Sequence, residues 1–126
     1  MTIMGIGIDI ITISRIKKII NESGSKLAKK ILSKKEFKEY LVKENKINFL
    51  AKRFSAKEAA AKALGTGMRK KITFNNFEVY NDHYGSPKLL LLNQAKILAK
   101  SMGIKYIHIN LTDEKKYACA IVIFEN

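Results

Sequence analysis

The chain has 126 residues, 47% of them hydrophobic, and a formal net charge of +13 from 24 Lys and Arg against 11 Asp and Glu. This length predicts one domain over residues 1–126 and leaves little room for a second. A single cysteine excludes an internal disulfide framework, and the apolar start is far shorter than the ~20 residues that span a bilayer. We therefore expect a cytoplasmic protein without a membrane segment, and an anionic partner of undefined class.

The first part of the chain predicts a strand followed by two helices. Isoleucines and glycines alternate over residues 2–10, which is typical of a strand with close backbone approaches at the glycines, and Asp9 lies near its end. Isoleucines at helical spacing over 13–20 predict a basic amphipathic helix that Gly24 ends. A shorter helix is expected over 26–32.

The middle of the chain predicts two further helices. Ser33 and Glu36 have the spacing of a capping box, so a helix is expected from Ser33 towards Glu44. Residues 47–64 are rich in Ala, Lys and Leu and predict a long helix that stops at Gly65.

The last third of the chain predicts two hairpins with a helix between them. The expected strands are 72–80 with 88–92, and 106–111 with 117–124, and the helix is 93–102. Because the strands are mostly linked as hairpins, the pattern favours an α+β fold over a parallel doubly wound sheet. We expect a single compact domain with a mostly antiparallel sheet packed against helices, including the long one.

Charged residues of the long helix are the first candidates for chemistry. Arg53, Lys57, Glu58 and Lys62 are spaced so that they are expected within about one helical face. Considered on the helix alone, a solvated face with Glu58 paired to Lys62 is the alternative.

The segment after this helix has the composition of a phosphate-binding loop. Gly65, Thr66 and Gly67 offer backbone amides and a hydroxyl, and the basic run 69–71 follows them. The Gly-Lys-Ser/Thr of a P-loop is missing, and a glycine helix cap with a flexible turn is the alternative.

Two carboxylates are candidates for a metal site. Asp9 ends an apolar strand, where an ionised carboxylate is costly unless it is paired or binds a cation. Together with Glu58 and phosphate oxygens, it would suit Mg²⁺. An aspartate exposed at a strand end, or one that caps the next helix, is the alternative.

Residues 5–10 (GIGIDI), with Arg15 and Ile16 shortly after, resemble the opening motif of the holo-acyl-carrier-protein synthases, the short members of the phosphopantetheinyl transferase superfamily. Residues 53–67 (RFSAKEAAAKALGTG) are similar to that family's second signature almost position for position. The Gly-x-Pro turn in 85–89 and the closing YACA at 117–120 also fit.

The resemblance implies a homotrimer with active sites between subunits. It implies transfer of the 4'-phosphopantetheine group of coenzyme A to a serine of an acyl carrier protein, for fatty acid biosynthesis, with release of adenosine 3',5'-bisphosphate. Asp9 and Glu58 would bind Mg²⁺ and, with Lys62, form the catalytic set, in which Glu58 or a water that it orients is the first candidate base. The carrier would dock on Arg15, Lys18 and Ile16. Coenzyme A phosphates would be held by Arg53, Lys57, Lys62, Gly65, Thr66 and Gly67.

One departure from the family pattern leaves a second alternative open. The family usually has a histidine where this chain has Asp113, and His108 lies an odd number of residues away, so it is expected on the opposite side of its strand. A protein that binds coenzyme A but transfers poorly is therefore an alternative.

A small basic nucleic-acid-binding module is the alternative from another functional class. The net charge and aromatics near lysines, such as Phe74, Phe77 and Tyr80, favour it. No RNA- or DNA-binding signature accompanies them, and aromatics that alternate along a strand more often belong to a core.

Overall fold

The computed structural model describes residues 1–126 and has an α+β fold, as predicted. The elements alternate in the expected order of strand, helices, hairpin, helix and hairpin. Their bounds are β1 Ile3–Thr12, α1 Ile13–Ser23, α2 Lys26–Ile31, α3 Lys34–Val42, α4 Lys46–Ala63, β2 Phe77–Asn81, β3 Pro87–Leu91, α5 Asn93–Ser101, β4 Tyr106–Asp113 and β5 Tyr117–Glu125.

All strand pairs are antiparallel. One sheet has the order β1-β5-β4 and a second contains β2 and β3. β2 begins at Phe77, five residues later than expected, because Phe74–Asn76 form a 3₁₀ turn. The Asn76 side chain accepts a hydrogen bond from the Ala95 amide and its carbonyl accepts one from Leu92, which ties this turn to the start of α5.

The predicted capping box starts α3. The Ser33 hydroxyl accepts a hydrogen bond from the Glu36 amide, and the Glu36 carboxylate accepts one from the Ser33 amide. Two donors that a helix start would otherwise leave unpaired are thus satisfied.

Strand β1 packs directly on helix α4, which is the contact that positions the candidate site. A Cβ on Gly5 would lie 2.0 Å from the Ala63 carbonyl oxygen, and one on Gly7 would lie 1.8 Å from that of Ala59. Only glycine leaves room for this approach, so the expected close backbone contact is confirmed. It holds Asp9 beside the last turns of α4.

Two hydrophobic clusters lie along α4. One fills the space between α4, α5 and the two sheets, and the other joins α1, α2 and α3 to the N-terminal half of α4. No helix of the structure is both long enough and apolar enough to cross a membrane.

Candidate active site

Asp9 and Lys62 join β1 to the end of α4. The Lys62 Nζ donates to Asp9 Oδ1 and to the Ile8 carbonyl, both at 3.1 Å. The Asp9 side chain is 15% exposed and that of Lys62 is 50% exposed, so the pair stays accessible to solvent.

Glu58 completes a cluster with this pair. Partial burial raises the pKa of the Glu58 carboxyl, and the nearby charge of Asp9 raises it further, while Lys62 and Arg15 oppose the increase. The structure thus brings together the two predicted metal ligands, the predicted catalytic lysine and one predicted docking residue. We call Asp9, Glu58, Lys62 and Arg15 the Asp9 cluster.

Two of the three predicted docking residues are exposed cations, and the third lies in the core. Arg15 and Lys18 are exposed on α1, which begins directly after β1. Ile16 is only 1% exposed and packs in the cluster between α1, α2 and α4, so its assignment as an apolar contact for a carrier was wrong for the folded chain. It lies on the face of α1 that the helix buries, as its period-3.6 pattern requires.

Lys57 does not share a face with Glu58 and Lys62. Its side chain is 0% exposed, and its Nζ donates to Glu36 Oε1 at 2.7 Å and to the Ile31 carbonyl. Burial lowers the pKa of this ammonium, and the Glu36 carboxylate opposes that decrease. The expectation of one face was therefore wrong, because α3 supplies a buried acid on the other side of α4.

Arg53 belongs to the same buried network. Its Nη2 lies 3.4 Å from Glu39 Oε2, and its Nε forms an ion-pair contact with Glu36 at 3.5 Å. Its guanidinium carbon lies 4.6 Å from the centre of the Phe49 ring. Burial lowers the pKa of Arg53, and the two glutamates oppose the decrease.

Arg53 nevertheless borders a polar cleft at the N-terminal half of α4. The cleft has a volume of about 210 Å³ and also contains Lys43 and Lys52. Gly85 and Pro87 of the β2–β3 turn form its opposite wall, so the predicted Gly-x-Pro turn faces the helix. The sequence alone does not indicate that Lys43 and Lys52 lie at this turn, since only the tertiary fold brings them there.

The amides of Gly65, Thr66 and Gly67 are not free. Gly65 donates to the Lys62 carbonyl, and Thr66 and Gly67 both donate to that of Ala61. Thr66 Oγ1 donates to the Gly67 carbonyl. The predicted phosphate cradle of bare amides is therefore wrong, and the alternative of a glycine helix cap describes the segment.

Asp113 and His108 lie on opposite sides of β4, as predicted. Asp113 accepts a hydrogen bond from Asn48 Nδ2 at 2.7 Å and lies 3.6 Å from Lys52 Nζ, both on α4. His108 lies on the outer sheet face and pairs with Glu125. His108 is thus no substitute for the usual histidine.

No group of three or more His, Cys, Asp or Glu side chains is arranged so that it could hold a metal ion. A cation at Asp9 and Glu58 would therefore take most of its ligands from water and from a bound anion. Two carboxylates with outside oxygens suit Mg²⁺, which keeps several waters and is often shared with phosphates.

The sequence and fold comparisons identify the family. The model of the 4'-phosphopantetheinyl transferase superfamily matches residues 5–122. The chain belongs to this superfamily. Within it, a holo-[acyl-carrier-protein] synthase of Klebsiella pneumoniae (strain 342) is 52% identical over 126 residues, 100% of both chains.

Solved structures of the superfamily share the fold. The holo-[acyl-carrier-protein] synthase of Neisseria meningitidis is similar at a TM-score of 0.93 and 34% identity, over 99% of this chain and 100% of that one. One from Bacillus anthracis, in complex with CoA (3',5'-ADP), is similar at a TM-score of 0.81 and 33% identity, over 97% and 96% of the two chains. The predicted family and fold are confirmed, and the nucleic-acid alternative has no support.

Proposed function

We propose that the protein is a holo-acyl-carrier-protein synthase, which transfers the 4'-phosphopantetheine group of coenzyme A to a serine of an apo acyl carrier protein. The observation that carries the proposal is the Asp9 cluster, in which two carboxylates, an ammonium and a guanidinium meet at one accessible place. It occurs in a chain that matches the superfamily over residues 5–122.

The proposal assigns Mg²⁺ to Asp9 and Glu58. Burial raises the pKa of the Glu58 carboxyl and the charge of Asp9 raises it further, and the fit is supported because a divalent cation would relieve this second effect. When bound, such an ion withdraws charge from the pyrophosphate that is attacked. We assign Lys62 to the leaving phosphate, where its exposed ammonium can stabilise developing negative charge.

Glu58 is the proposed acceptor for the proton of the carrier serine. Burial raises the pKa of the Glu58 carboxyl, which makes the metal-free carboxylate a stronger base than an exposed glutamate, whereas a bound Mg²⁺ would lower this pKa and favour a water that Glu58 orients. The carboxylate acts directly or through a water that it orients.

Coenzyme A is the proposed donor because the Bacillus anthracis relative is described in complex with it. We assign its nucleotide phosphates to the cleft that contains Lys43, Lys52 and Arg53, where these three cations outnumber the one acidic residue, Glu39. Lys57 and the amides of residues 65–67 have their donors engaged within the fold, so we assign them to support of α4.

We propose that the outer face of the larger sheet forms the subunit interface of a homotrimer. Ile6, Ile8 and Ile10 of β1 point away from α4 and are 57%, 59% and 64% exposed, and Ile121 of β5 lies beside Ile8 in register. A continuous apolar face of this kind is expected to be covered by another subunit. Ile8→Lys should then dissociate the assembly, as measured by light scattering coupled to size-exclusion chromatography. A cytoplasmic location remains part of the proposal.

Intact-protein mass spectrometry tests the proposed reaction. Apo acyl carrier protein is incubated with the protein and coenzyme A, with and without Mg²⁺. The expected result is a Mg²⁺-dependent gain of the phosphopantetheine mass on the carrier. Binding of coenzyme A without transfer would favour the alternative of a poor transferase, and absence of both would contradict the proposal.

A further inference from the structure

A second cavity lies between the two sheets, away from the Asp9 cluster. β3 is the edge of the two-stranded sheet and β4 is the edge of the three-stranded one, and these edges are neighbours without sharing a ladder of hydrogen bonds. Helix α5 closes the space from one side. The cavity has a volume of about 440 Å³ and shares no residue with the Asp9 cluster or the Arg53 cleft.

The walls of this cavity are mostly apolar. Leu90, the fourth of the five residues of β3, is 43% exposed. A concave apolar site of this size is typical of a pocket that binds a small molecule. The apolar lining consists of Leu89, Leu90, Leu91, Ala99, Ile104 and Ile107.

The charged residues of the cavity are all cations. Lys96, Lys100 and Lys105 line it, no acidic residue does, and none of the three lysines forms an ion pair. Lys100 lies in the last turn of α5, where the helix dipole favours a cation. The three unpaired ammonium groups make the rim of the cavity complementary to an anionic group on a ligand.

We propose that this lysine-rimmed cavity binds a free long-chain carboxylate. The alkyl chain lies against the leucines and isoleucines, and the carboxylate pairs with the lysine ammonium groups at the rim. Lysine stems are apolar and extend the wall along the chain, while their charged ends stay in water. An alkyl alcohol would lack the ion pairs, and an alkyl ammonium ion would be repelled.

Methyl-resolved NMR of the full chain tests the proposal with dodecanoate below its micellar concentration. Saturable shifts are expected for the methyl groups of Leu90, Ile104 and Ile107. Lys100→Glu should weaken binding by about tenfold, since it replaces an attraction by a repulsion. Lys29→Glu makes the same charge change on α2 and should leave binding unchanged.

Four outcomes would overturn the proposal. These are shifts confined to the exposed isoleucines of β1, equal binding of dodecyltrimethylammonium, unchanged binding by Lys100→Glu, and a response only to anionic lipid vesicles. The last would assign the lysines to a membrane surface. Because the readout is binding, its result is independent of transfer activity.

Discussion

Lys62, one turn after Glu58 on α4, spans the gap to β1 and lies 3.1 Å from the Asp9 carboxylate. Its ammonium therefore neutralises one of the two proposed metal ligands in the absence of a bound cation. Because the lysine side chain is half exposed, it can turn towards a phosphate without leaving a buried charge behind.

Asp9→Asn should strongly reduce transfer while the chain stays folded. The amide keeps the shape of the side chain but loses the charge that attracts both a cation and Lys62. We expect transfer to fall by about 100-fold or more, and Mg²⁺ to stop raising the melting temperature. Glu22→Gln, which removes an exposed acid from α1, is the matched control. Normal turnover of Asp9→Asn would refute the metal assignment.

Glu58→Gln should change how stability depends on pH. The folded state raises the pKa of Glu58 above its ordinary value of 4.5, so the folded state binds this proton more tightly than the unfolded state. The resulting stabilisation is complete below the ordinary value and is lost as pH rises through the folded pKa. Melting temperatures without divalent ions should therefore show the native protein gaining on Glu58→Gln as pH falls from neutral towards 4.5. A difference that is constant with pH would contradict the coupling.

Arg15→Glu should mainly impair use of the carrier protein. Acyl carrier proteins are acidic, and Arg15 is exposed beside the reaction site. We expect KM for the carrier to rise by about tenfold or more, and the effect to shrink as salt screens the charges. Lys88→Glu makes the same change of charge on β3 and is expected to have little effect on KM. Equal defects in the two variants would indicate a response to net charge alone.

Glu36→Ala should strongly destabilise the fold. Glu36 is 1% exposed and contacts both Lys57 and Arg53, so its removal leaves buried Lys57 without an ion pair and Arg53 with Glu39 alone. Urea unfolding is expected to show a loss of about 3–5 kcal/mol. Glu44→Ala removes an exposed acid without an ion pair and should change the free energy of unfolding little.

Gly7→Ala should destabilise the fold far more than the addition of one methyl group usually does. The new methyl would meet the Ala59 carbonyl of α4, a backbone atom that cannot turn aside. We expect a loss of about 3 kcal/mol or more, together with lower activity because Asp9 moves with β1. Gly85→Ala meets open space and is strained only by its positive φ, so it should cost about 1–2 kcal/mol. Similar losses in both would contradict the close contact.

Local patterns predicted the elements well because their causes are local. The capping box at Ser33 and the alternation in β1 involve residues that are neighbours in the chain. Local patterns do not predict whether a charged side chain of α4 is buried or exposed. Lys57 is buried because Glu36, 21 residues earlier, faces it, and nothing near Lys57 in the sequence indicates this.

The candidate site was predictable only in part for the same reason. The resemblance predicted that Asp9 and Glu58 lie together. In the fold, the glycines of β1 make this possible because they let the strand approach α4. In residues 65–67, the two glycines are compatible with either a phosphate-binding loop or a helix cap. The hydrogen bonds of this segment to the carbonyls of Ala61 and Lys62 show that it forms a cap. Ile16 is apolar and was therefore a candidate contact for a carrier, but the helical period of the isoleucines in α1 directs its side chain into the core.

β5 is the middle strand of the larger sheet and the last strand to be synthesised, which affects how the chain folds on the ribosome. β1 pairs with β5, so Ile3 lies opposite Glu125, and no other strand is available to β1. At about 5–20 residues per second, a ribosome needs several seconds or more after making β1 to produce its partner. During that interval the isoleucines of β1 form an unpaired apolar segment of the kind that chaperones bind.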